Sequence, residues 1–187
     1  MHNLPRNQQL SGFTILEALI VAILIGIISS FAIPGYSNFI DSQQRTTTLN
    51  NLYQTIALAR SEAIKRNREV VLCPSIDTVS CTESHDYTSG WIMFVNTDKD
   101  RPATRDYDEP IVDFQKRFDS NFLLKSNRKT YSFRSQGIRN SNGTFVLCSI
   151  DNSRENKDSQ SLILSYTGRP KINNFVNSEH LTICNKS

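Results

Sequence analysis

The sequence predicts an α+β protein: a long N-terminal helix, apolar in its first half and amphipathic in its second, packed on a domain of antiparallel strands. Three observations carry this. Sixteen residues from Ala18 to Ile33 bear no charge. From Leu49 to Ile64 apolar residues recur at three- and four-residue spacing, the period of a half-buried helix. Beyond Glu69, short segments rich in β-branched and aromatic residues alternate with turn residues. Helix first and strands afterwards is the α+β order.

The apolar run comes first. At about 1.5 Å per residue, Phe13 to Ile33 spans roughly 30 Å, the thickness of a bilayer core. Its polar side chains are Thr14, Glu17, Ser29 and Ser30, and Glu17 alone is ionisable. A carboxylate inside a bilayer costs on the order of 2.5–3.5 kcal/mol, so its presence calls for a function. A secretory signal peptide would be cut after its apolar region. Ala32-Ile33-Pro34 suits that poorly, because proline follows the cut and the run is too long. Arg6, ahead of the span, supports a cytoplasmic N-terminus. Pro34-Gly35 marks a bend, since proline removes a helical donor and crowds the preceding turn. The helix then resumes with Leu49, Leu52, Tyr53, Ile56, Ala57, Ala63 and Ile64 on one face. Arg45, Asn50, Arg60, Glu62 and Arg66 lie on the others. With no Gly or Pro between Tyr36 and Asn67, one long bent helix is expected from about Phe13 to Asn67.

Strands are expected at Val70–Cys73, Trp91–Val95, Pro110–Phe114, Thr130–Arg134, Thr144–Cys148 and Ser161–Tyr166. Asn142-Gly143 reads as a type I′ hairpin turn. Gly168-Arg169-Pro170 reads as a further turn, and His180–Cys184 as a short last strand.

At 187 residues the chain holds one anchor and one globular domain of moderate size. The net charge of +3 is too small to predict a partner. Cys73, Cys81, Cys148 and Cys184 form no CxxC pair, and the three histidines are too scattered to complete a metal site. Behind an anchor facing an oxidising compartment, an even count reads as two disulfides. Three connectivities remain open, of which proximity favours Cys73–Cys81 and leaves Cys148–Cys184. No phosphate-binding glycine loop, HExxH, GxSxG or Cys/His dyad is present, so a non-enzyme without cofactor or metal is expected.

Gly12-Phe13, with Glu17 four residues on and an apolar helix behind it, resembles the type IV prepilin signature. Downstream, Ala59-Arg60-Ser61-Glu62-Ala63, Leu72-Cys73-Pro74-Ser75, Gly90-Trp91 and Gly168-Arg169 resemble the GspH/FimT group of minor pilins and pseudopilins. The resemblance implies a pilin fold. It divides the chain into a leader (1–12), a transmembrane and filament-core helix (13–34), an amphipathic continuation (35–67) and a periplasmic β domain (68–187). It implies that a prepilin peptidase cuts between Gly12 and Phe13, that the new amine of Phe13 is methylated, and that Glu17 faces such an amine on its own or a neighbouring chain. Other major and minor pilins and an inner-membrane assembly platform are the implied partners. The implied location is the inner membrane, spanned once with the C-terminal domain in the periplasm, and afterwards a fibre. A minor pilin that initiates a type IV pilus or sits in its tip complex is the favoured role. The alternatives are a type II secretion pseudopilin and a DNA-binding pilin of natural transformation.

Two surface stretches need weighing. Asn96 to Glu109 carries Asp98, Asp100, Asp106, Asp108 and Glu109, oxygen ligands of the kind calcium takes. Lys99, Arg101 and Arg105 interrupt them and no glycine supplies a sharp turn, so a solvated loop is the stronger reading. From Lys116 to Arg139, seven basic residues (Lys116, Arg117, Lys125, Arg128, Lys129, Arg134 and Arg139) face only Asp119. Gly168-Arg169-Pro170-Lys171 resembles the GRxR turn of DNA-binding FimT-type pilins, with lysine in place of the second arginine and its planar fork lost. Arg169, Lys171, Arg128 and Lys129 are therefore the candidate DNA contacts. A plain solvated face or a subunit interface competes with that reading.

Overall fold

The computed structural model describes residues 13–118, 121–137, 142–150, 160–174 and 178–184, setting aside the side chains of 31–35, 37–38, 178–179 and 181. One helix, α1 (Ile15–Arg66), is followed by β1 (Glu69–Pro74), β2 (Gly90–Asn96), β3 (Ile111–Lys116), β4 (Phe122–Ser126) and β5 (Tyr131–Phe133). Then come β6 (Gly143–Ser149), β7 (Ser161–Leu164), β8 (Pro170–Asn173) and a short helix, α2 (Ser178–Cys184). Contacts divide the chain into two units, Met1–Ile40 and Asp41–Ser187.

In the first unit the apolar side chains described from Ile15 to Ile28 are exposed on every side of the helix. Ile15, Leu16, Leu19, Ile20, Ile23, Leu24, Ile27 and Ile28 are all about half exposed or more. A helix that is apolar all round needs lipid or other helices. Beyond Ser29 and Ser30, Tyr36 and Phe39 are exposed as well. Among the described residues no helix is long and apolar enough to cross a membrane.

In the second unit α1 buries a narrow stripe: Leu49, Leu52, Ile56, Ala59 and Ala63. Their spacing alternates between three and four, as a helix lying flat on another layer requires. Tyr53, Ala57 and Ile64, expected on the buried face, are exposed instead. They flank the stripe, and of the three Ile64 still lays its end against Gly137 in the turn after β5.

Two four-stranded antiparallel sheets follow, ordered β3-β2-β1-β5 and β4-β6-β7-β8. Val70, Leu72, Trp91, Met93 and Phe133 of the first sheet and Phe122, Leu124, Phe145, Leu147, Leu162 and Leu164 of the second share one core with the α1 stripe. Each large side chain taken out of water there contributes on the order of 1.5–3 kcal/mol. The first sheet is also covered on its other face, where Val71, Cys73, Ile92 and Phe94 pack with Ala103 and Cys81. Burial on both faces explains why β1 and β2 read as unbroken apolar runs rather than alternating ones. A third small cluster, Val146, Cys148 and Ile183 with Leu123 and Cys184, seats α2 on the second sheet.

Several expectations are corrected. Asn142-Gly143 is not a hairpin turn, because Gly143 lies within β6, paired with Leu164, while β5 belongs to the other sheet. Its glycine answers to packing instead: a β-carbon there would run into the Tyr131 ring. His180–Cys184 is helical rather than extended. It is held by the Cys148–Cys184 bond and by Ile183, which is buried against Val146 and Cys148. Strands β4 and β8 were not expected. The first hides behind its own alternation, with Phe122, Leu124 and Ser126 inward and Leu123 and Lys125 outward. The second starts on Pro170, tolerated as the first residue of a strand but read from sequence as part of a turn.

Candidate functional site

At the helix tip, Phe13 is 78% exposed. Thr14 caps α1: its Oγ1 accepts the backbone N–H of Glu17 at 3.3 Å, and its carbonyl accepts the first helical bond, from Ala18, at 3.2 Å. Thr14-Ile15-Leu16-Glu17 thus has the spacing of a capping box, which sequence reading missed. Glu17 stands in the first turn, where the helix dipole favours a negative charge. Gly12, the other half of the expected cleavage site, lies outside the described residues.

A second arrangement joins three layers. Arg60, on α1, donates from Nε to the carbonyl of Gly137 at 2.9 Å. Gly137 (φ +71°) closes the turn after β5, and Gly168 (φ +75°) the turn between β7 and β8. A β-carbon on Gly168 would lie 2.6 Å from that same Gly137 carbonyl and 3.3 Å from Arg60 Cδ. Both turns therefore require glycine for conformation and for closeness, and the arginine of α1 fixes their relative position. Arg169 is the next residue along, exposed, and its carbonyl accepts the N–H of Ser165 at 3.3 Å. Lys171 projects from β8, also exposed. The position of Arg60 inside the quoted Ala59–Ala63 motif was the available signal for this junction.

Arg128 and Lys129 follow β4, at the opposite edge of the same sheet. The register places both the β4 exit and the β7–β8 turn at the end where β6 begins. Three strand spacings, about 14 Å, separate those edges. Arg128 Nε donates to the carbonyl of Asn142 at 2.6 Å, and Lys129 pairs with Glu83 at 3.2 Å. Lys116 ends β3 in the other sheet, and Arg139 and Asp119 lie outside the described residues. The basic stretch is thus split between sheets rather than gathered into one patch.

In the acidic stretch the carboxylates serve their own loop. Asp100 Oδ2 accepts from the N–H and hydroxyl of Thr104 at 2.9 and 2.8 Å. Buried Glu109 accepts from the N–H groups of Thr97 at 2.6 Å and Asp106 at 3.2 Å. Arg101 reaches back to Glu69 at 2.7 Å. Among the described residues no group of three or more acidic, histidine or cysteine ligands is placed to hold a metal ion.

Disulfides join Cys73 to Cys81 and Cys148 to Cys184, with Cα atoms 5.6 and 5.7 Å apart. Each staples one of the small outer clusters onto its sheet. Within the first loop, Asp77 accepts the N–H groups of Val79 and Ser80 at 2.8 Å and the hydroxyls of Ser75 and Ser80 at 3.0 and 2.6 Å. The Ser80 hydroxyl and these amides hold its carboxyl well below the usual carboxylate range.

Comparison with known proteins follows from this geometry. The model of the family described as type II transport protein GspH matches residues 48–168. The type IV minor pilin FimU of Pseudomonas aeruginosa is similar in structure in two crystal forms. The P21 form has a TM-score of 0.54 and 17% identity, covering 72% of this chain and 92% of that one. The P65 form has a TM-score of 0.50 and 17% identity, covering 68% and 91%. The minor pseudopilin EpsH of the Vibrio cholerae type 2 secretion system aligns with a TM-score of 0.48 and 11% identity over 69% and 95%. Among curated proteins no significant sequence match is found.

Proposed function

The chain belongs to the GspH family and has the α+β fold of pilins, and we propose that it is a minor subunit of a type IV pilus, placed at initiation or in the tip complex. The role is structural rather than enzymatic. In this reading residues 1–12 are a leader removed by a prepilin peptidase, and the amine of Phe13 is then methylated. Residues 13–34 hold the subunit in the inner membrane, spanning it once, and 35–67 carry the helix on to a periplasmic β domain (68–187). On assembly the helix moves from lipid into a bundle of major and minor pilins under the action of the assembly platform.

One feature supports this reading above the others: a helix apolar on every side that carries a carboxylate in its first turn. Lipid alone accounts for the apolar side chains, not for the charge. A neighbouring amine in low dielectric would convert Glu17 from a cost into a contact, since opposite charges attract strongly there and an unpaired one is expensive. Mass spectrometry of the native protein should find a chain beginning at methylated Phe13. Glu17→Ala should insert and fold normally yet enter fibres poorly. Wild-type incorporation of that variant removes the proposal. A deletion strain that loses twitching while secreting normally favours the pilus; the opposite phenotype assigns the subunit to a type II secretion pseudopilus.

A DNA-binding role draws on a separate observation, the Arg169 turn locked in place by Arg60 and Gly137. Backbone phosphate contacts from Arg169, Lys171, Arg128 and Lys129 would be independent of sequence and weaken steeply with salt. In a gel-shift series, Arg169→Ala with Lys171→Ala should lower affinity at every salt concentration. Binding indifferent to both salt and substitution rejects this role.

A further inference from the structure

Strand ends from both sheets share one rim where the second unit begins. Asn121 Nδ2 donates to Asp41 Oδ1 at 3.5 Å, and the Arg45 guanidinium lies 5.5 Å from the centre of the Phe122 ring. Phe122 opens β4 and pairs with Ser149 at the end of β6, which brings Ile150 to the same place. In the first sheet Gly90 pairs with Lys116, and its carbonyl accepts the N–H of Ser75 at 3.0 Å. The Trp91 and Phe118 rings, 5.3 Å apart, tie that sheet end to the chain leading into β4. Two unlike kinds of side chain are left in water on this rim. Ile76 and Ile150 are 73% and 58% exposed. Lys116 and Arg117 are exposed, and neither meets an acid among the described residues. The acids described there are engaged, Asp41 by Asn121 and Asp77 by the amides and hydroxyls of its own loop.

Aliphatic side chains beside unpaired cations suit a lipid headgroup layer. The aliphatic groups enter the acyl boundary while lysine and arginine stay at the phosphates. Chain length supplies the neighbour. Asp41 follows Ile33 by eight residues, about 12 Å of helix, and a headgroup layer is itself roughly 5–8 Å deep. We infer that before assembly this rim rests on anionic phospholipid of the bilayer that holds its own helix. Lys116 and Arg117 lie on headgroup phosphates, with Ile76 and Ile150 seated between the headgroups. The inference rests on the single-span reading of residues 13–34 and adds to it a second, separable contact with lipid. A subunit leaving the bilayer for a fibre has to break that contact as well.

The test uses the full chain reconstituted in vesicles, with a photo-reactive benzoyl-phenylalanine at position 150 in place of the exposed isoleucine. Flotation reads the span, and the yield of lipid-linked peptide after illumination reads the rim. The adduct should form in vesicles of phosphatidylethanolamine with phosphatidylglycerol. In phosphatidylcholine alone it should fall roughly tenfold, the scale of two basic side chains losing an anionic surface. Lys116→Glu with Arg117→Glu should produce the same fall in the anionic vesicles, and Lys116→Gln with Arg117→Gln a smaller one, with Trp91 emission unchanged in both. Arg68→Glu with Lys99→Glu, exposed beside the opposite ends of β1 and β2, should leave the yield as it was. A chain that fails to float overturns the span and this inference together. A chain that floats but gives equal yield in both lipids, or a yield indifferent to charge at 116 and 117, overturns the rim contact alone.

Discussion

Replacing Gly168 by alanine tests the junction between α1 and the two sheets. Its φ of +75° lies in the left-handed region, which costs a residue with a β-carbon about 1–2 kcal/mol. The added methyl would also sit 2.6 Å from the Gly137 carbonyl, a backbone atom that cannot rotate away. Relief requires shifting the acceptor of the 2.9 Å bond from Arg60, and losing such a bond costs about 1 kcal/mol more. The sum, about 2–3 kcal/mol, should lower Tm by roughly 5–10 °C for a domain of this size. Trp91 is the only tryptophan and is 1% exposed, so its emission reports global unfolding directly. Arg60→Met keeps the packing stem and removes the bond. The double variant should lose less than the sum of the two, because both act through one carbonyl. Stability within about 0.5 kcal/mol of wild type for Gly168→Ala, or strict additivity in the pair, would refute the reasoning.

The two disulfides should differ in worth. Chain entropy alone gives roughly 2.5 kcal/mol for Cys73–Cys81 and roughly 4 kcal/mol for Cys148–Cys184, whose sequence separations are 8 and 36. Serine pairs at each site, compared by denaturant unfolding, should rank in that order. Truncating Ile56, fully buried in the α1 stripe, to alanine should cost about 2–5 kcal/mol, read as a lower denaturation midpoint at constant slope. Asp77 gives a pH signature. Its carboxyl is depressed by bonds made only in the folded loop, so the stabilisation is fully present above the unfolded carboxylate value near 4 and fades as pH falls toward the folded one. Hydrogen exchange at Val79 and Ser80 should therefore stay protected from neutral pH to about pH 4 and weaken below it. In Asp77→Asn that protection should be reduced at all pH values.

Much of the fold was legible because its parts obey local rules. The long helix announces itself by an uncharged run and then a three-four repeat, and β1, β2, β3 and β5 by β-branched and aromatic density. The errors share a cause. Gly143 and Pro170 carry turn chemistry in isolation, but tertiary contacts decided otherwise: the ring of Tyr131 excludes a β-carbon at the first, and pairing with Leu164 extends the second. The C-terminal segment looked extended because Leu181, Thr182 and Ile183 favour strands. Its seat on Val146 and Cys148 depends on a pairing of cysteines far apart in sequence. Of the candidate sites, the position of Glu17 could be read directly. The Arg60 junction was signalled only by its place in the Ala59–Ala63 motif, because its acceptor is the backbone carbonyl of a distant turn, which no residue type advertises.

The cap at Thr14 bears on how Glu17 can act. In a capping box the glutamate side chain often turns back to bond the cap residue, which would give this carboxylate a local purpose and weaken the case for an intermolecular one. Here the bond that forms is the other half of the box, from the Glu17 amide to Thr14 Oγ1. That bond occupies the backbone of Glu17 and fixes the first turn without engaging the acid. The helix dipole makes a negative charge at this end less costly than it would be further along, yet a dipole is satisfied equally well by water at an exposed helix end. Surrounding the charge with apolar side chains at Ile15, Leu16, Leu19 and Ile20 removes that alternative once the helix is packed. In the assembly proposed above, a carboxylate held on a capped turn within an apolar collar would then have one inexpensive state, with a cation brought to it by its own or a neighbouring subunit.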